Sequence, residues 1–129
     1  MTRKNYTADN VSASGPYSHA IDAGEFIFLS GQTAMNGIDS EAKKELGNIT
    51  EQTETAFSYL TSVMDVAGVT SDDVMKVNVY LTSMDHFDEM NEVYKSFFNT
   101  PYPARTCVAV KELPLKTDVE IEFIVKKPR

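Results

Sequence analysis

The hydrophobic and polar positions of this chain fall into alternating runs of strand and helix character. Residues 26–29 (Phe-Ile-Phe-Leu) form a continuous apolar run that ends at Ser30-Gly31, the pattern of a strand covered on both faces. Gly15-Pro16-Tyr17 ahead of it is a turn signal and feeds a shorter strand around 18–21. The stretch 33–47 is polar, carries an Asn36-Gly37 turn signal and reads as an exposed loop. A helix then starts at Asn48, whose side chain can accept from the amide of Glu51 while Glu51 reaches back, the asparagine version of a capping box. Ile49, Ala56, Phe57, Leu60, Val63, Met64 and Ala67 make one stripe at helical spacing, and Gly68 suits the left-handed position just past the end.

Strand character resumes over 74–81, where Met75, Val77, Val79 and Leu81 alternate with Lys76, Asn78 and Tyr80. A second helix spans about 85–98, with Phe87, Met90, Val93, Tyr94, Phe97 and Phe98 directed inward, and Pro101 and Pro103 stop it. Two strands, near 104–110 and 119–125, close the chain. The order is β-β-α-β-α-β-β, an α+β arrangement in which right-handed crossovers set both helices on one face of a mixed sheet. The other face is left open, and apolar residues there favour closure into a barrel or a symmetric oligomer.

At 129 residues the chain has the length of one domain, 1–129, and buries enough surface to fold without staples. Its 42% hydrophobic and 24% charged content is ordinary for a globular protein. The single cysteine, Cys107, excludes an internal disulfide and fits a reducing compartment. No apolar stretch follows the basic residues at the start, and none approaches the ~20 residues needed to span a bilayer. A cytoplasmic protein with no membrane partner is expected, which leaves the sequons at Asn5, Asn10 and Asn48 without meaning. The net charge of −7 and the absence of a basic stripe argue against nucleic acid as the main partner.

The common signatures are missing: there is no GxGxxG, P-loop, HExxH, CxxC or G-x-S-x-G. His19 and His86 stand alone, without metal-ligand spacing, and His86 at a polar helix start reads as exposed. Any chemistry here is therefore expected to need neither metal nor organic cofactor. Taken singly, Arg105 is an ordinary strand arginine in a surface ion pair. Glu120, alternating with Val119 and Ile121, is an ordinary solvated strand residue. Cys107 shares a strand face with Arg105, which could lower its thiol pKa, but it reads first as a small buried residue.

Four segments together resemble the RidA/YjgF family: Gly15-Pro-Tyr-Ser-His-Ala, Leu29-Ser-Gly-Gln32, Phe87-Asp-Glu-Met-Asn-Glu-Val-Tyr94, and Pro103-Ala-Arg-Thr-Cys-Val-Ala-Val110 continuing to Val119-Glu-Ile-Glu122. Their order and spacing extend the resemblance over essentially the whole chain. The Pro-Ala-Arg strand followed by Val-Glu-Ile-Glu is its specific part. The resemblance implies a chorismate-mutase-like fold, a homotrimeric barrel with three inter-subunit clefts, and hydrolysis of 2-aminoacrylate and related 2-imino acids to 2-keto acids and ammonia. Carried over by position, it implies that Arg105 binds the substrate carboxylate and that Glu120 holds or activates the attacking water. It further implies that Tyr17, Ser30, Gly31 and Cys107 line the cleft.

The chemistry agrees with that assignment. An imine carbon is already electrophilic, so what remains is to fix the carboxylate and place the water. Arginine's planar fork suits the first task and a carboxylate the second. The chain differs from the family pattern at His19, where glutamine is frequent, and at Thr106, where serine is common. It also has a longer 33–47 loop and a shorter 99–102 segment, differences that bear on cleft shape more than on reaction type. The competing function is a non-catalytic module that senses 2-keto acids or similar carboxylates with the same arginine and regulates a partner enzyme. An endoribonuclease or translation-inhibitor role, also attached to the family, runs against the charge balance.

Overall fold

The structure is a computed structural model that describes residues 2–13, 15–36 and 46–128. Among these residues six strands form a single mixed sheet: β1 (Lys4–Tyr6), β2 (Ala20–Asp22), β3 (Phe26–Gln32), β4 (Val74–Leu81), β5 (Ala104–Ala109) and β6 (Val119–Lys126). Two helices, α1 (Ile49–Ala67) and α2 (Phe87–Phe97), pack on it, and the strand order is β1-β2-β3-β6-β4-β5. Only β4 and β5 run parallel; every other pair is antiparallel. The α+β architecture and mixed sheet are those expected. One strand was not: β1 pairs with β2 at the sheet edge, although Lys-Asn-Tyr carries no apolar alternation. Its partner strand, not its composition, makes it a strand.

Helix α1 begins as its sequence dictates. Asn48 accepts from the Glu51 amide at 2.9 Å, Glu51 Oε1 accepts from the Asn48 amide at 3.0 Å, and Gly68 closes the helix at φ 75°. Its apolar stripe meets α2 and β6 at Phe57, whose ring stacks on Phe97 at 4.2 Å and packs against Phe98 at 5.9 Å and Phe123 at 6.1 Å. Such aromatic contacts add to the burial of Leu60, Val63 and Met64 and fix α1 over the middle of the sheet. Helix α2 starts two residues later than its pattern, after a 3₁₀ turn at Met84–His86 that leaves His86 half-buried rather than exposed.

The alternation in β4 holds from Val77 onward but fails at Met75. A register shift between Val74 and Lys76 against β6 gives the inward place to Val74 and leaves Met75 41% exposed. An extra residue in a strand reverses the side on which its neighbours fall. The segment after β3 also departs from expectation. Thr33, Ala34 and Asn36 are buried, with Asn36 donating to Gln32 at 2.8 Å and its carbonyl receiving the Ser12 amide at 2.6 Å. The Gly37 half of the turn signal and the rest of the expected loop to residue 45 lie outside the described residues.

Two polar anchors position the strands that matter below. Buried Gln52 on α1 donates to Asp118 at 3.2 Å and accepts from the Asp118 amide at 2.9 Å, while Thr82 donates to the same carboxylate at 2.8 Å. These bonds fix where β6 starts. Buried His19 accepts from the Ala8 amide at Nδ1, 3.1 Å away, leaving Nε2 to donate to the Ser12 carbonyl at 3.2 Å. The N-terminal segment is thereby clipped beside Tyr17 and Ser30.

Candidate active site

Strand β3 carries a bulge where Leu29 pairs with Phe123 and Gln32 with Ile121, so that Ser30 and Gly31 together oppose Glu122. Bulges of this kind re-aim side chains and recur next to active sites. The backbone of Ser30 is held by the His19 carbonyl at 2.9 Å, and its hydroxyl donates to the Ser18 carbonyl at 2.7 Å. Gly31 faces Glu120 so closely that a Cβ there would lie 3.0 Å from Glu120 Cγ and Cδ. The glycine is needed for close approach, not for a positive φ.

Around this bulge lies a pocket of about 290 Å³ lined by Tyr17, Ser30, Gly31, Asn36, Pro114, Glu120 and Glu122. Burial and then the neighbouring Glu122 charge raise the Glu120 pKa above the ordinary carboxylate range. A group so placed is a better proton acceptor at neutral pH than a solvated glutamate. Beside the pocket, Tyr80 and Asn78 of β4 both donate to Glu122 Oε1, at 2.7 and 3.0 Å. The bond to Glu122 pushes the Tyr80 phenol up to about 12, with burial adding to the effect. Pro114 enters from the turn Pro114–Lys116, where Leu115 and Lys116 hold left-handed φ of 56° and 60°.

Arg105 is elsewhere. Parallel pairing sets Arg105 beside Val77 and Cys107 beside Val79, on the helix side of the sheet, whereas Glu120 pairs with Tyr80 on the opposite side. On that helix side α2 builds a cradle from Phe87, Asn91 and Tyr94, spaced so that all three share one helix face. Asn91 Oδ1 accepts from Arg105 Nη1 at 2.6 Å, and the guanidinium carbon stands 4.7 Å from the Tyr94 ring centre and 5.5 Å from that of Phe87. The cation lies within cation–π distance of both aromatic rings, a contact that suits the weakly hydrated guanidinium of arginine. The Tyr94 hydroxyl is buried with no hydrogen-bond partner in the structure.

Of the six residues singled out from the sequence, the structure brings Tyr17, Ser30, Gly31 and Glu120 together and leaves Arg105 and Cys107 as a second group on edge strand β5. Arg105 is half-buried, and among the described residues its hydrogen-bond partner is the Asn91 amide and not a carboxylate. Glu120 stands on the sheet face away from the helices, but it is half-buried there and not fully solvated. The lowering that Arg105 could bring to the Cys107 thiol does not prevail: burial raises its pKa, and the opposing Arg105 charge is the smaller effect. Asn91, Asn36, Tyr80, Asn78 and Pro114 were not anticipated at the site. A polar residue inside the apolar stripe of α2 was the one signal available for Asn91. The sequence marked Asn36 only as half of a turn signal, in a stretch read as an exposed loop.

The fold and pockets define a small α+β protein of chorismate-mutase-like type, with a carboxyl-bearing pocket at a sheet bulge and an aromatic-bedded arginine on its edge strand. Comparison with known proteins agrees: the family described as Endoribonuclease L-PSP matches residues 7–127. The chain belongs to this family, the RidA/YjgF family. A 2-iminobutanoate/2-iminopropanoate deaminase of Dermatophagoides farinae is 40% identical over 111 residues, covering 86% of this chain and 85% of its own. The crystal structure of RidA from the Antarctic bacterium Psychrobacter sp. PAMC 21119 superposes with a TM-score of 0.87 at 34% identity, over 97% of this chain and all of the other. That of Escherichia coli TdcF with bound serine gives 0.87 at 29% identity, over 97% and 99%. Other relatives, in two yeasts, are named as mitochondrial proteins. Among the described residues no helix is long and apolar enough to cross a membrane.

Proposed function

We propose that this protein hydrolyses 2-imino acids to 2-keto acids and ammonia, in clefts that each draw on two subunits of a homotrimer. The observation that carries the reading is the separation of Arg105 from Glu120 on opposite faces of one sheet. A substrate of a few atoms cannot touch both groups of one chain, so a working site takes the Arg105 edge of one copy and the Glu120 pocket of the next. The open sheet face supports such an assembly, since Phe28 and Val108 are 48% and 41% exposed there.

In this site Arg105, held by Asn91, Tyr94 and Phe87, grips the substrate carboxylate through its remaining donors. Cys107 lies beside that grip as a lining group, not a nucleophile. Glu120 accepts a hydrogen bond from the attacking water. As the water oxygen bonds to the imine carbon, the C=N pair moves onto nitrogen and the water's proton passes to Glu120. That proton is returned to nitrogen to give a carbinolamine; Glu120 then takes the hydroxyl proton and passes it to nitrogen as the carbonyl forms and the C–N bond breaks, so ammonia leaves and the carboxylate is regenerated. Positioning of this sort supplies much of what so labile a substrate needs. The relative named as a deaminase supports the reading. The single, unpaired Cys107 supports placing this activity in a reducing compartment such as the cytoplasm.

The test supplies 2-aminoacrylate from a dehydratase and follows keto-acid formation. Wild type should exceed the spontaneous rate, Arg105→Ala should abolish the gain, and Glu120→Gln should lose turnover while still binding a keto acid. Mixing the two inactive variants under exchange should restore about a quarter of the sites, because each cleft then has one chance in four of drawing both intact halves. A wild type that binds keto acids without accelerating hydrolysis overturns the enzyme in favour of a carboxylate sensor. A stable monomer in sedimentation overturns the shared cleft. RNA cleavage that survives Arg105→Ala would belong to neither site.

A further inference from the structure

One carboxylate in the pocket has no part in the steps above. Glu122 follows Glu120 by two residues on β6, lines the same pocket, and spends one oxygen on two donors. Tyr80, which donates to Glu122, is the register partner of Glu120, and Asn78 is that of Glu122 itself. Two residues of the neighbouring strand β4 thus fix the second carboxylate, while the first faces the pocket and the Gly31 backbone. A carboxylate needed only for the fold could be replaced by an apolar residue at little cost, since Ile124 serves on the same face of the strand.

We infer that Glu122 is a positioning residue for the proposed hydrolysis, which acts through Glu120 and makes Glu120 the better proton carrier. The inference rests on the function proposed above. The physics is that of paired carboxylates: a fixed negative charge beside a half-buried carboxyl opposes its ionisation, so the proton taken from water is held more firmly until nitrogen receives it. The direction for Glu120 within one chain agrees, with burial first and Glu122 second among the causes. Tyr80 is engaged as the donor to Glu122, Lys76 on the same face turns to Thr106 of β5 at 3.0 Å, and Tyr17 lines the same pocket. In the proposed cleft the Arg105 guanidinium of the neighbouring copy favours the ionised Glu120 and opposes Glu122, so the effect of Glu122 is read with Arg105 held constant.

Glu122→Gln tests this, because an amide oxygen still accepts from Tyr80 and Asn78 while the charge is gone. In the full-length assembled protein, kcat should fall several-fold with KM little changed, and the acid limb of the kcat/KM profile should move to lower pH. Followed by carbon-13 NMR of the glutamate carboxyls, the Glu120 titration should move the same way. A purely structural Glu122 would lower the melting temperature and leave the limb in place; that result, or superimposable titrations, overturns the inference. If the variant does not assemble, the Arg105→Ala protein decides, with the neighbouring cation removed: Glu120 must titrate above the ordinary range, and an unshifted curve overturns the proposal. A wild type without deaminase activity refutes the function and leaves the NMR result to judge the pair.

Discussion

Replacing Gly31 by alanine separates the requirements of the fold from those of the site. The added Cβ would lie 3.0 Å from Cγ and Cδ of Glu120 and 3.3 Å from its Oε2. Carbon atoms rest at about 3.5–4.0 Å, so something must yield by roughly 0.5–1 Å. Gly31 is not among the glycines with positive φ, and alanine suits its backbone. The obstacle is a side chain, not main chain, and Glu120 can swing aside. We expect a stability loss of about 1 kcal/mol, at the low end for overpacking, seen as a few degrees in melting temperature. Activity should suffer far more, since a displacement of ~1 Å at a catalytic group can cost ~100-fold, or about 2.7 kcal/mol of barrier. The assay is kcat on enzymatically generated 2-aminoacrylate, alongside thermal melting and keto-acid binding, which Arg105 should preserve. A kcat within about twofold of wild type in a folded protein would refute the claim that this glycine exists to seat Glu120.

Three further outcomes follow from other parts of the molecule. Asn91→Ala removes the 2.6 Å acceptor of Arg105, worth about 1.5–3 kcal/mol for a charge-assisted bond, so calorimetric keto-acid affinity should fall roughly tenfold or more; an unchanged Kd refutes the cradle. Leu60→Ala at a fully buried position should cost about 2–5 kcal/mol in urea unfolding, and a loss below about 1 kcal/mol would mean that α1 is not packed as described. Asp22 accepts from the Gly24 amide, from Lys127 and from Tyr6, which together lower its pKa from 3.8 to about 2. Its contribution is thus fully present above about pH 4 and lost as pH falls through 2. The stability gap between wild type and Asp22→Asn should close over that window, and a gap that persists in acid refutes the assignment.

Much of the fold could be read from local pattern. Asn48, Glu51 and Gly68 mark the ends of α1 because capping is a matter of neighbours in sequence. The stripe through Phe57, Leu60 and Met64 is buried because helical periodicity selects one face. Arg105, Cys107, Glu120, Tyr17, Ser30 and Gly31 could be named from the segments that resemble the family, whereas Asn36, Asn78, Tyr80, Asn91 and Pro114 could not. What escaped reading depends on distant partners: β1 exists only against β2, Asn36 is buried only against Ser12, and Asn91 matters only because β5 brings Arg105 under α2.

The sequence by itself therefore determined the two helices, five of the six described strands, their order and the chemistry on offer: an arginine and a glutamate on the last two strands and a Ser-Gly pair after the first long apolar run. Tertiary structure alone decided on which side of the sheet each group stands. Strand parity has a period of two, so a single bulge at Ser30-Gly31 or near Met75 resets it, and the pairing that creates a bulge joins residues some ninety or fifty positions apart. That decision put Arg105 and Glu120 back to back in one chain, and Glu122 beside Glu120 under the hold of Tyr80 and Asn78.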